Sequence, residues 1–229
     1  AGPPERSVIT VRLLDRQRRL WSSANGGLYR LEGGLVQRMA LSDGPPNQTV
    51  TSMHEGRDGT IWIGASAGVY RAGDDGIVMY SQTPTPVLLL LVDADGPLWA
   101  GLDGSGVGRL RERDRWELFG SQEGLTSSQV SALYEDREGN VWIGTSGGGL
   151  NSLSSGKFTT YGVVEGLPSE QAQATFQDGA GRFWIATLSG LMEVSLDQAT
   201  TRVYRQEDGL SSPRVYAVAE SADGRLWVG

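Results

Sequence analysis

Six tryptophans set the frame of this chain. Trp21, Trp62, Trp99, Trp142, Trp184 and Trp227 follow one another at intervals of 41, 37, 43, 42 and 43 residues. Their surroundings repeat with them. An apolar residue precedes each one (Leu20, Ile61, Leu98, Val141, Phe183, Leu226), and a small residue stands two places after it (Ser23, Gly64, Gly101, Gly144, Ala186, Gly229). Gly lies three places before five of the six, at Gly59, Gly96, Gly139, Gly181 and Gly224, whereas the first repeat has Arg18 there. Self-similarity at a fixed period of this length marks a repeat architecture, in which each unit buries its apolar face against the next.

The best-formed unit reads as strands and turns. Val130–Glu135 and Asn140–Thr145 are β-rich and flank the turn Asp136–Gly139; a third strand runs Leu150–Leu153 and a fourth Phe158–Tyr161. Four short antiparallel strands in a unit of about 42 residues is the period of a propeller blade. No stretch shows the 3.6-residue periodicity of a substantial helix. The expected fold is therefore all-β: a β-propeller of four-stranded antiparallel blades, five complete and the first two strands of a sixth. The blades are placed at about 8–40, 48–81, 86–120, 128–162, 170–205 and 213–229. The start at Ala1-Gly2 and the mid-strand end at Leu226–Gly229 read as part of a larger ring. The edge at Arg225–Gly229 is then open to dimerisation.

Composition removes several chemistries. There are 33 Gly among 229 residues, in line with a chain of many turns, and no Cys, which excludes disulfides, thiolate zinc sites and a thiol nucleophile. One histidine, His54, excludes a multi-His metal site or a two-His mechanism within the chain. A net charge of −7 argues against nucleic acid as a partner. The longest apolar run, Val87–Val92, is too short to span a bilayer.

The stretch Asp136-Arg-Glu-Gly-Asn-Val-Trp-Ile-Gly-Thr145 with the following Gly149-Leu150, and Gly166-Leu-Pro-Ser169 with its following strand, closely resembles the two-component regulator propeller repeat. The linker part recurs as Glu123-Gly-Leu-Thr-Ser127, Glu165-Gly-Leu-Pro-Ser169 and Asp208-Gly-Leu-Ser-Ser212. The resemblance covers about residues 8 to 229. It implies the periplasmic or extracellular sensor region of a bacterial membrane signalling protein. A small β-sandwich, a membrane helix and an output domain would follow in the parent protein. It also implies an oligosaccharide as a ligand class.

Most residues that invite a chemical reading have a simpler structural one. A Trp present once per blade and flanked by apolar neighbours is expected to pack between sheets, and Trp116, outside the series, at an outer edge. Asp93, Asp136 and Asp178 open Asp-x-x-Gly turns; one carboxylate per turn cannot assemble a calcium shell, so each is expected to cap its own turn. Gly104-Ser-Gly106 and Gly147–Gly149 precede no helix and read as hairpin turns rather than phosphate loops. Arg12, Arg16, Arg18 and Arg19 form a basic cluster expected on a solvated or interface face. No catalytic constellation and no cofactor or metal set emerges.

In a propeller, the loops joining fourth to first strands and second to third strands open on one face, the usual place for binding. The candidate ligand-binding residues there and in the channel are Asn25, Asn47, Gln48, His54, Asp103, Gln129, Gln171, Arg214 and Tyr216. Amides and hydroxyls suit a hydroxyl-rich ligand. The leading expectation is a non-enzymatic ligand-sensing propeller. A protein-interaction scaffold is the alternative, and a propeller lyase of the streptogramin-inactivating kind a weaker one, because such chemistry relies on His and metal.

Overall fold

The computed structural model describes residues 9–24, 27–42, 48–73, 76–154, 157–195 and 200–229, with backbone alone at 9–12, 42, 195 and 200. It is an all-β chain of successive antiparallel sheets of the propeller-blade type. The first sheet holds β1 (Ile9–Leu14), β2 (Leu20–Ala24), β3 (Gly27–Glu32) and β4 (Leu35–Met39). After β5 (Leu41–Ser42) come β6 (Val50–Glu55), β7 (Ile61–Ala65), β8 (Gly68–Gly73) and β9 (Gly76–Gln82). The third sheet has β10 (Val87–Val92), β11 (Leu98–Leu102), β12 (Gly106–Glu112) and β13 (Arg115–Phe119). The fourth has β14 (Val130–Glu135), β15 (Val141–Thr145), β16 (Leu150–Ser154) and β17 (Lys157–Tyr161). The fifth has β18 (Ala172–Gln177), β19 (Phe183–Thr187), β20 (Gly190–Ser195) and β21 (Thr200–Tyr204). A two-stranded sheet, β22 (Val218–Glu220) and β23 (Leu226–Val228), ends the series. No helix among the described residues is long and apolar enough to cross a membrane.

One strand was not foreseen. β5, in the linker after the first sheet, pairs parallel with β9 (Leu41 with Ile77, Ser42 with Val78), so the second sheet has five strands. The chain forms two compact units, Ala1–Leu118 and Phe119–Gly229.

In each unit the core lies between consecutive sheets. In the first, Trp21, Leu28, Val50, Ile61, Ile63 and Tyr70 form one cluster, and Val69, Val87, Leu90, Leu98 and Ala100 another. In the second, Trp142, Leu150, Phe183 and Ile185 lie between the fourth and fifth sheets. The spacing between sheets explains the small residue two places after Trp. A Cβ on Gly64 would lie 2.6 Å from Val87 of the next sheet, and one on Gly144 would lie 2.9 Å from Ala132 and 3.4 Å from Ala172.

The Asp-x-x-Gly turns carry the tryptophans. In the fourth sheet Asp136 Oδ1 accepts N–H bonds from Glu138 and Asn140, while Oδ2 accepts the indole N–H of Trp142 at 2.7 Å. Asp15 with Trp21, Asp93 with Trp99 and Asp178 with Trp184 repeat the indole bond at 2.8, 2.8 and 2.9 Å. The expected turn cap is therefore present, and the second oxygen does more than the turn requires. These four tryptophans are only 1 to 5% exposed. The other two lack the clamp. Gly56 stands where Asp would be for Trp62, which is half-buried. Ser221 stands there for Trp227, which is 65% exposed, against the packing expected for all six. Among the described residues β22 is the only strand paired with β23, so one flank of that ring is unsupported.

Further bonds stitch sheet to sheet. All five first strands shift register after their first residue, so the next residue bulges. Two bulged hydroxyls reach the next sheet: Thr51 donates to Val87 O and Ser131 to Ala172 O. At the turn end, Arg16 N donates to Glu55 Oε2, Arg137 N to Gln177 Oε1 and Gly179 N to Glu220 Oε2, at 3.0, 3.1 and 2.7 Å. Of the basic cluster, Arg16 and Arg18 are exposed, as expected of a solvated face, and Arg19 is half-buried in a 2.6 Å ion pair with Asp15. Trp116 donates its N–H to Ser81 Oγ at 2.9 Å, an edge contact as expected.

The turns make three testable demands. Arg18 occupies the left-handed region at φ 63°, where the other turns use Gly (Gly139 at 82°, Gly181 at 86°). An L-residue there costs roughly 1–2 kcal/mol, partly offset by the extra freedom Gly gains when unfolded. Arg18→Gly should stabilise the chain by about 0.5 kcal/mol in urea unfolding. Asp178 is fully buried and also pairs with Arg182 at 2.7 Å. Asp178→Ala should cost about 3 kcal/mol by stranding the indole and turn N–H groups. Burial opposes charge on Asp15 and Asp178, yet the indole, backbone and arginine hydrogen bonds outweigh it and hold both carboxyls below their usual value. A depressed carboxyl stabilises the fold above about pH 4, and that contribution is lost as pH falls through the folded value. Stability measured from pH 6 to pH 2 should therefore fall steeply in the native chain, and less so in Asp178→Ala.

Candidate functional site

The loops following each second strand, with the linkers preceding each first strand, form the candidate surface. The linker geometry comes from the Glu/Asp-Gly-Leu-x-Ser motif. Glu123, Glu165 and Asp208 accept the N–H of Gly120, Gly162 and Arg205 across single 3-10 turns, at 2.7, 2.6 and 2.9 Å. The following Gly takes a positive φ (103, 101 and 107°), which lets the chain reverse. Leu125 and Leu167 are then buried, at 2% and 3% exposure. Ser127, Ser169 and Ser212 close the motif by accepting N–H bonds from Gln129, Gln171 and Arg214.

Gln129, Gln171 and Arg214 accordingly occupy one equivalent position in successive sheets of the second unit. Their backbones are fixed and their side chains are exposed. Two of them converge on Ser146, whose N–H donates to Gln129 O at 2.8 Å and which bridges Gln171. Ser127 Oγ donates to Ser146 O at 3.1 Å. The loop Gly147–Gly149 is held against the same linker, Gly147 N and Gly149 N both donating to Glu170 O. It joins two antiparallel strands, as the hairpin reading required. Glu170 was not singled out from the sequence; its carboxylate also accepts Val163 N at 2.9 Å, and its one signal is its place between Ser169 and Gln171. Beside Arg214, Val215 N donates to Thr187 O; Tyr216, 55% exposed, donates its N–H to Gly229 O.

The first unit presents the same layout with different side chains. Ser66 N donates to Thr49 O, and Ser66 Oγ donates to Gln48 Oε1 at 2.8 Å. Asp103 N donates to Pro86 O and its side chain is exposed; in the same loop region Thr85 Oγ1 donates to Ser105 Oγ at 3.3 Å. Asn25 and Asn47 lie outside the described residues.

His54 is placed differently. It stands on β6 opposite Trp62, where the other complete sheets set Leu13, Leu91, Tyr134 and Phe176 opposite their tryptophans. Directly opposed residues share a face of the sheet, so His54 shares the face of Trp62, which packs against the core between the second and third sheets. Its Nδ1 is buried without a hydrogen-bond partner. Burial lowers its pKa, with Glu55 opposing. Among the described residues, no three His, Cys, Asp or Glu side chains converge as a metal site.

A lowered histidine pKa makes the fold lose stability as pH drops below about 6.5, where the unfolded state takes the proton first. His54→Leu should therefore raise the melting temperature, by more at pH 5 than at pH 8. A smaller gain at pH 5 than at pH 8 would contradict a buried neutral histidine.

Three comparisons bear on this geometry. The two component regulator propeller repeat matches residues 44–67, 124–147 and 209–229, in agreement with the resemblance read from the sequence. No curated protein matches the chain. Among solved structures, an extracellular domain assigned to a hybrid two component system of B. thetaiotaomicron superposes with a TM-score of 0.83 at 22% identity, covering 98% of this chain and 32% of that one. A catalytically inactive virginiamycin B lyase of Staphylococcus aureus with quinupristin gives 0.79 at 16% identity, covering 100% and 79%. PorZ, a surface component of the type-IX secretion system of Porphyromonas gingivalis, gives 0.72 at 15% identity, covering 96% and 37%. At these identities the likeness is one of fold. The chain spans about a third of the first structure's length.

Proposed function

We propose that this chain, built from two component regulator propeller repeats, is a non-enzymatic ligand-sensing segment on the extracytoplasmic side of a bacterial signalling protein. Its ligand is a hydroxyl-rich molecule of the oligosaccharide class. In that reading a sandwich, a membrane helix and an output domain complete the parent protein.

The observation that carries the reading is the position shared by Gln129, Gln171 and Arg214. Each backbone is locked by a serine of the repeat motif, while each side chain is exposed and free of structural duty. Gln129 and Gln171, whose backbones flank Ser146, each offer a carboxamide with donors and an acceptor to sugar hydroxyls. The lyase reading has less support, because His54 is committed to the face shared with Trp62.

Calorimetry of the chain against a panel of oligosaccharides tests the reading. Gln129→Ala and Gln171→Ala should each weaken the binding oligosaccharide about tenfold while leaving the melting temperature unchanged. Turnover of a ligand by the isolated chain would sink it. So would an extracytoplasmic protein partner that occupies this face while no glycan binds.

A further inference from the structure

In most of the complete sheets the tryptophan carries a guanidinium from the chain itself. Arg19 and Arg30 lie over Trp21 at 5.6 and 5.7 Å, Arg109 over Trp99 at 5.0 Å and Arg182 over Trp184 at 5.2 Å. In the second sheet, Arg71 and Arg113 lie over Tyr80, the ring that meets Trp62 edge-on. These arginines come mainly from two positions, two residues before the Trp and directly opposite it on the third strand. In the fourth sheet those positions hold Asn140 and Ser152. Among the described residues no cation lies over Trp142 or Tyr161.

Beside these two rings a cavity of about 310 Å³ opens between the fourth and fifth sheets. Trp142 meets Tyr161 at 5.5 Å and Phe183 at 4.6 Å between ring centroids; Trp142 and Phe183 are buried and form the floor of the cavity, and Tyr161 is the ring with an accessible face. Leu150 and Met192 make apolar wall, and Tyr161 is 36% exposed. Glu165 also lines the cavity. Its Oε2 accepts Gly162 N–H, and its Oε1 accepts no hydrogen bond from the described residues.

We propose that this cavity binds an organic cation: a quaternary ammonium or a guanidinium carried on an apolar stem. Aromatic faces present negative charge to a cation, and the attraction grows when water is excluded. The apolar walls suit the stem and the Glu165 carboxylate suits the charge. A small, strongly hydrated inorganic cation finds too few oxygens here to replace its water. The remaining sheets show the same preference from within, since their rings are covered by the chain's own guanidinium groups. The site shares the linker residues Glu165 and Leu167 with the loop surface but uses none of Gln129, Gln171 and Arg214, and it does not rest on the sensing proposal.

Choline and benzyltrimethylammonium are the probes, titrated into the intact chain with tryptophan fluorescence and calorimetry as readouts. The uncharged tert-butyl isostere of choline is the control. Saturable binding is expected, with choline about tenfold tighter than its isostere. Tyr161→Ala should weaken choline about tenfold and Glu165→Gln several-fold, whereas Tyr161→Phe should stay within about twofold. Equal affinity for the isostere, or no saturable binding of either cation, overturns the proposal. If Tyr161→Ala does not fold, unchanged choline affinity in Glu165→Gln overturns it as well.

Discussion

A buried carboxylate that serves a turn and a tryptophan together is the interaction on which four of the six repeats depend. In four of the six repeats the Asp caps the hairpin between first and second strands with one oxygen and takes the indole N–H with the other. Burying a carboxylate without partners is costly, and burying an indole N–H unbonded costs a further hydrogen bond. Each group answers the other's need. The pairing also fixes the orientation of the largest side chain in the sheet, which is what the neighbouring sheet packs against. Where the Asp is replaced, by Gly56 or Ser221, the ring is no longer fully buried.

A stack of such sheets still needs register, and three devices supply it inside each unit. The small residue after the Trp lets the next sheet's first strand come close, the bulged hydroxyl of the sheet's own first strand bonds across to it, and the Glu or Gln ending that next strand clasps the turn of the preceding sheet. Side chains do this at the two ends of the first strand, and apolar packing does it between them. Bulges re-aim a side chain without lengthening a loop, so the stitching costs the surface no residues.

Much of this was legible in the sequence because the repeat states it six times. The strand order, the turn at Asp136–Gly139 and the reversal at Gly166 follow from residue types that physical chemistry restricts. The other partner of the aspartate did not follow, since the Trp lies six residues away on the next strand and only the folded hairpin brings it near. β5 escaped for a related reason: its pairing with β9 is parallel and nonlocal, and two residues carry no periodicity. His54 was ambiguous because a first strand has two faces, and only its pairing with Trp62 decides which one it uses. The uncovered Trp142 was readable in principle from Asn140 and Ser152, but only once the opposing arginines of the other sheets were known to stack.

The division of labour between backbone and side chain locates where such a fold can acquire specificity. Before β6, β10 and β14 the carbonyls of Thr49, Pro86 and Gln129 receive an N–H from a neighbouring loop, and before β18 Gln171 forms a bridge with Ser146. That duty makes no demand on the side chain, and the residues there differ freely. The Trp, Asp and small positions are the reverse: their side chains are the structure, and replacing one disturbs the sheet. Variation can therefore collect at these loop positions within each unit without cost in stability. The same logic applies to the arginines over the tryptophans. Because the clamp already satisfies the indole, the guanidinium is an addition that a sheet can forgo; in the fourth sheet the neighbours of Trp142 are the rings of Tyr161 and Phe183 instead, and of these three rings Tyr161 alone is substantially exposed.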